Sequence, residues 1–478
     1  MASIVENVIR GAVVKGAGAV ADFNRARLPE DKNAYLSAIH EPMKQELTLD
    51  ELEVVGEIPG ELDGRYLRIG PNPAAPDPKG YHWFSGDGMV HGLALRGGKA
   101  LWYRNRWIRS NAVAAQTGLP AAPGPRHIFD TVNTNVVGMA GRTWALVEAG
   151  SYPVTLSDTL EDQAYERFGD TLNGSFTAHP HRDPLTGEFH GICYEGPDMT
   201  TIRHVVVSPE GRVTRELPIK VEHGPSIHDC AITKRYAIIL DLPVTFSMKA
   251  MMGGHKFPYR WNPDHKARVG LLPRDGGADD IIWIDCPPVY IFHVANAYDD
   301  AHGNVVLDSC VYETMFAEAT GGPNGRSLGL QRWTIDPQAK TIDVRTVDRA
   351  PQEFPRPDER YFGQPYRYAF TMALPSDDFA ISETRLFKHD LETGKREVHD
   401  FGAGRHPGEF VFVPRAESAA EGDGWLVGLV VSMADQTTDL VIIDAAKFEE
   451  EPVARVRIPH RVPPGFHGNW VAAQDMRA

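Results

Sequence analysis

Cysteine is scarce in this chain: four residues of 478, Cys193, Cys230, Cys286 and Cys310, lie far apart with no C-x-x-C pair. That spacing excludes a disulfide framework and makes structural zinc unlooked-for; it reads as reduced thiols in a cytoplasmic protein. Positive charge is also in deficit. Forty-nine Lys and Arg against 64 Asp and Glu leave a formal net charge of −15, with no basic face, so nucleic acid is excluded as a partner. Long apolar runs are missing too. Residues 1–21 are moderately apolar but carry Glu6, Arg10 and Lys15, which interrupt them too often for a signal peptide or a membrane span. A helical reading puts Ile4, Val8, Ala12 and Ala19 near one face, suited to a helix that docks on the rest of the chain or to a weak interfacial anchor.

What remains is an ordinary globular composition, 42% hydrophobic and 24% charged, in a chain too long for one simple core. Two domains or one repeat-built domain are expected. After a polar lead-in ending near Leu49, short β-branched segments recur, such as Val205-Val206-Val207 and Tyr236-Ala237-Ile238-Ile239-Leu240. Between them stand turn sequences: Arg96-Gly97-Gly98-Lys99, Asp183-Pro184-Leu185-Thr186-Gly187, Ser208-Pro209-Glu210-Gly211, Asp336-Pro337-Gln338-Ala339-Lys340 and Asp390-Leu391-Glu392-Thr393-Gly394. Hairpins repeated over some four hundred residues predict an all-β, seven-bladed propeller over 50–478, preceded by a helical lead-in over 1–49. A pair of β-sandwiches fits the same local pattern. Two stretches break the rhythm: residues 107–126, rich in Ala, Pro and Gly, and residues 246–274, rich in Met, Gly and aromatics. Insertions of this kind cap a propeller face and shape a pocket, although the methionines equally suit buried packing.

Four of the 19 histidines have distinctive surroundings: Ala178-His179-Pro180, Ile227-His228-Asp229, Phe292-His293-Val294 and Phe466-His467-Gly468. Taken singly, each is better explained by structure than by ligation. Together they would make an all-imidazole site without thiolate or carboxylate, one that suits a metal with positions open to a small molecule. Such distant residues can meet only through tertiary structure, and a propeller axis offers a meeting point that sandwiches lack.

With these motifs in order, the chain resembles the carotenoid cleavage oxygenase family, which includes carotenoid, apocarotenoid and stilbene-cleaving oxygenases and a retinoid isomerase. The resemblance runs from Leu67-Arg68-Ile69-Gly70-Pro71-Asn72-Pro73 to Gly468-Asn469-Trp470. It passes through Phe84-Ser85-Gly86-Asp87-Gly88, Asn133-Thr134-Asn135-Val136, His228-Asp229 and Gly363-Gln364-Pro365-Tyr366. It implies a seven-bladed propeller under a mostly helical and loop dome, with one non-haem Fe(2+) per chain held by His179, His228, His293 and His467. His181 stands where relatives commonly carry Lys and is given no ligand role. Glu148, Glu353 and Glu409 match glutamates that orient three of the ligands, since a carboxylate on the distal N–H fixes the tautomer and raises ligand basicity. Thr134 falls beside an open iron position.

The family implies cleavage of a conjugated carbon–carbon double bond by O2 into two carbonyl products. Stilbene cleavers typically hold the phenol with a Lys immediately before the first of those glutamates and a Tyr upstream. Here that position is Val147, and no tyrosine lies between Arg109 and Thr131. A hydrophobic carotenoid or apocarotenoid is therefore the expected substrate, and a stilbene the alternative. Val147, Met251, Met252 and Phe257 are expected to line the substrate tunnel, with residues 246–261 making peripheral membrane contact at its mouth. An isomerase on the same scaffold would keep the metal without consuming O2. A non-enzymatic propeller would leave the four histidine motifs unexplained.

Overall fold

The computed structural model describes residues 18–28, 30, 32–196, 198–318, 321–375 and 383–476. The hairpin turns form as their sequences demand. Gly98, Gly187, Gly211 and Gly394 all adopt φ between 73° and 75°, and in the one turn without glycine Lys340 takes φ 55°. Each turn joins neighbouring antiparallel strands, and the strands gather into seven sheets of four or five, with a separate two-stranded ribbon.

The seven sheets are the blades of a β-propeller. The second contains Asn135–Met139, Arg142–Leu146, Val154–Leu156 and Gln163–Tyr165. The third runs from His181–Arg182 to Val213–Lys220, the fourth from Cys230–Ile232 to Ile282–Asp285, the fifth from Tyr290–Asp299 to Thr341–Asp348, and the sixth from Gln352–Pro357 to Lys395–Asp400. In each, the first strand contacts the first strand of a neighbouring blade about the axis. Burial falls outward: Tyr290–Asp299 is buried over most of its length, whereas Thr341–Asp348 is largely exposed and carries charges that discourage edge pairing.

The ring is closed twice. Gly468–Ala472, from the end of the chain, becomes the innermost strand of the first blade by pairing with Gly64–Pro71. Glu53–Gly56, from its beginning, pairs with Ala454–Ile458 on the outer edge of the seventh. Leu47–Leu49 also joins the first blade, so the propeller takes in strand residues ahead of position 50. The lead-in before it is helical at 18–25, followed by two single turns at Ala34–Leu36 and Ala38–His40.

The cover over one face is loop with short helical turns, including Asn111–Thr117 and Met248–Met252. Among the described residues no helix is long and apolar enough to cross a membrane. The insertion expected over 246–274 is shorter at its end and begins earlier: it occupies residues 242–267 inside the fourth blade and contains the ribbon Val244–Phe246 with Tyr259–Trp261, whereas Arg268–Pro273 is a blade strand paired with Tyr236–Asp241. The lead-in docks on it: Asn24 Nδ2 donates to Met252 O at 2.7 Å and Arg25 Nε to Gly254 O at 2.9 Å. Close backbone approach is needed where the first blade meets the segment entering the second. A Cβ on Gly88 would stand 1.8 Å from Val132 O. Gly88→Ala is expected to cost about 1–3 kcal/mol through overpacking against backbone, read as a lowered melting temperature by calorimetry.

Candidate metal centre

Every blade delivers one polar residue to the axis. His179 and His228 stand two residues before the inner strands of the third and fourth blades, His293 lies within that of the fifth, and His467 immediately precedes that of the first. The remaining blades supply carboxylates: Glu148 just after Arg142–Leu146 of the second, Glu353 within Gln352–Pro357 of the sixth, and Glu409 within Arg405–Pro414 of the seventh. All four histidines are buried, and their ligand nitrogens lie within 4.8 Å of one another.

Local backbone irregularity aims these groups. The register shifts around His293 in the fifth blade, beside Glu353 in the sixth and across Glu409 in the seventh, and a bulge of this kind turns a side chain that a regular strand would send elsewhere. Ala149 and Phe354, the residues that follow Glu148 and Glu353, adopt φ 69° and 51°, a left-handed conformation uncommon for such side chains and sustained here by the surrounding fold.

The carboxylates decide what the imidazoles can do. Glu148 Oε1 lies 2.9 Å from His228 Nδ1, Glu353 Oε2 2.6 Å from His293 Nδ1, and Glu409 Oε1 3.1 Å from His467 Nδ1. Each pairing places the N–H on Nδ1 and leaves a lone pair on Nε2. Yet His228 Nε2 and His293 Nε2 face each other at 3.1 Å, an arrangement that repels unless a proton or cation lies between them. His179 Nε2 is buried without a hydrogen-bond partner among the described residues. Burial, and then the three neighbouring histidines, hold His179 well below the ordinary imidazole pKa, which keeps it neutral and available as a ligand. Burial acts most strongly on His293 too, in the same direction, but Glu353 outweighs it and the net shift is upward.

Charge points the same way. Burial raises the Glu409 carboxyl, but His467 and Arg356 prevail and bring it down to about 2. Glu148, Glu353, Glu409 and Asp229 carry four formal negative charges, against buried Arg68 and half-buried Arg356, the latter shared with Glu359. A dication among the histidines would offset the remainder. The residues present therefore fit a divalent metal with four neutral nitrogen ligands.

A cavity of about 930 Å³ opens from this centre, walled mainly by apolar and aromatic side chains. Phe84 is its hub, meeting Phe257, Phe292, Phe316 and Phe466 edge-on at centroid distances of 5.3 to 5.9 Å. Val147, Met251 and Phe257 line it, and Thr134 lines it near the histidines. The Thr134 hydroxyl donates to Asn133 Oδ1 at 2.9 Å, and Asn133 Nδ2 donates in turn to Phe84 O and Gly86 O, which fixes the threonine rotamer. Met252 departs from expectation. It does not line the cavity and is 42% exposed, because consecutive residues of the short helix point about 100° apart: Met251, with Met248 one turn before it, faces the cavity and Met252 does not. His181 stays outside the four-histidine group, with Nε2 2.7 Å from Asp229 Oδ1.

Sequence reasoning passed over Asn133, Arg68 and Asp229 as functional residues, although all three lie in the motifs quoted above. Only Arg68, a charge in the apolar and glycine-rich run Leu67-Arg68-Ile69-Gly70, carried a local signal of its own. Glu409→Gln is expected to weaken divalent-metal affinity about 10- to 100-fold, since the amide cannot serve the His467 N–H and the Gly468 N–H with both of its terminal atoms. Chelator competition measures this.

The sequence profile described as retinal pigment epithelial membrane protein matches residues 40–472. A protein of Mycobacterium tuberculosis named carotenoid cleavage oxygenase is 40% identical, over 93% of this chain and 99% of its own. The carotenoid 9,10(9′,10′)-cleavage dioxygenase 1 of Arabidopsis thaliana is 33% identical, over 93% and 90%. The crystal structure of lignostilbene dioxygenase from Pseudomonas brassicacearum matches with a TM-score of 0.81 and 26% identity, covering 93% of this chain and all of that one. Seven blades, four converging histidines and these matches agree: the chain belongs to the carotenoid cleavage oxygenase family and is an oxygenase.

Proposed function

We propose that the four histidines hold one Fe(2+) and that the enzyme uses O2 to cleave a conjugated C=C bond of a carotenoid or apocarotenoid. Both oxygen atoms are retained, one in each of two carbonyl products. Bound here, ferrous iron would supply the electrons that let ground-state O2 react with a closed-shell alkene. The chain's own part is placement. Aromatic walls around Phe84 accept a flat, apolar polyene, and the locked Thr134 narrows the approach to the histidines. No protein acid or base is required, because the alkene carries no proton that must move.

The observation that carries the substrate reading is Val147. It stands on the cavity wall immediately before Glu148 and offers neither donor nor charge to a phenol. The lignostilbene dioxygenase match supports the alternative substrate through shared fold; the relatives of higher sequence identity carry carotenoid names. For delivery, Met248 at the cavity and exposed Met252 lie on the loop to which the lead-in docks, and that lead-in exposes Val20 and Phe23. Apolar side chains collected at a tunnel mouth suit peripheral contact with a lipid surface, with the enzyme otherwise cytoplasmic.

The test is iron loading without air, then incubation with apocarotenals, carotenoids and hydroxystilbenes under ¹⁸O2, with products identified by mass. Labelled aldehydes from polyenes are expected. Isomerised polyene without oxygen uptake, or cleavage of stilbenes alone, would overturn the reading. Val147→Lys is expected to lower polyene turnover about tenfold or more by placing an unpaired ammonium in the apolar wall. Phe23→Asp with Met252→Asp is expected to reduce liposome sedimentation while sparing turnover of detergent-dispersed substrate; unchanged sedimentation removes the membrane proposal.

A further inference from the structure

His179 differs from the other three ligands in that, among the described residues, no carboxylate reaches its ring. Its side chain touches the others directly, with centroid distances of 4.5 Å to His228 and His467. Beside it lies a buried polar knot built on Asp229, the residue after His228. Asp229 Oδ1 accepts from Cys230 N at 2.7 Å and pairs with His181 Nε2 at 2.7 Å, while Oδ2 accepts from Val294 N at 2.8 Å. Each partner is within two residues of a ligand: His181 of His179, Cys230 of His228 and Val294 of His293. The Cys230 thiol also reaches His179 O at 3.9 Å, and Phe362 closes against the His181 ring edge-on at 5.1 Å.

His181, Asp229 and Cys230 are close enough together to suggest a second metal site. Their bonding argues otherwise. Asp229 and His181 already engage each other, and both Asp229 oxygens are occupied by donors.

We propose that the Asp229–His181 pair positions the four-histidine centre, standing in for the carboxylate that His179 lacks and fixing the spacing of three ligand-bearing strands. The inference rests on the four histidines being a metal site. One carboxylate with two oxygens serves donors from the third, fourth and fifth blades, and nothing smaller spans them. An asparagine could not. With one oxygen and one NH2, it must set a donor against a donor on one side.

The test uses the metal-free full chain and Co(2+) as probe, with chelator competition for affinity, the visible ligand-field spectrum for geometry, and thermal unfolding of the metal-free form. Asp229→Asn and His181→Met are expected to weaken Co(2+) binding about 10- to 100-fold and to alter the spectrum. His181→Lys is expected to recover most of the loss, because an ammonium can donate to Asp229 in place of the imidazole. Metal-free His181→Met should melt near the wild type, which separates positioning from general stability. Wild-type affinity and spectrum in both Asp229→Asn and His181→Met would overturn the proposal. Should Asp229→Asn fail to fold, the other two variants decide: His181→Lys as weak as His181→Met overturns it. A wild type that takes up no Co(2+) overturns the metal-site reading itself, and that is seen before any variant is measured.

Discussion

Four lone pairs pointed at one another are the constraint on which this molecule turns. Imidazole nitrogens as close as His228 Nε2 and His293 Nε2, 3.1 Å apart, do not stay together of their own accord. Glutamates behind three of the rings prevent the tautomeric switch that would relieve the repulsion, and burial denies the rings water. The propeller is the mechanical answer. Its blades are stiff antiparallel sheets wedged side by side, so a force at the axis is taken up by hydrophobic packing between blades.

The division of labour among blades follows from this. Four bring ligands and three bring carboxylates, with one such residue from each. Where a regular strand would aim the side chain wrongly, the register slips beside it, and Ala149 and Phe354, next to Glu148 and Glu353, take left-handed backbone. At the periphery, Val213–Lys220 and Thr341–Asp348 are largely exposed or half-buried and carry charged side chains.

Much of the architecture was legible in the sequence because hairpin turns advertise themselves locally. Gly187, Gly211 and Gly394 sit at positive φ where their turn motifs place them. The four histidines and three glutamates were legible through motif order, and they converge in space. What local pattern could not show was the direction of side chains on a short helix, hence the misplacement of Met252 beside Met251. Nor could it show long-range partnership. Asp229 looks in sequence like any acidic residue at a strand end, and its bond to Val294 N spans 65 positions. The role of the chain ends was hidden for the same reason, since pairing of Gly468–Ala472 with Gly64–Pro71 leaves no mark in either segment alone.

That last pairing also sets an order of events during synthesis. His467 directly precedes the strand that closes the first blade, so it emerges from the ribosome after the other three ligands and after all three glutamates. A nascent chain can present at most three of the four imidazoles, on a ring still open at one seam. The four-histidine centre is thereby incomplete until the last blade strand closes the ring.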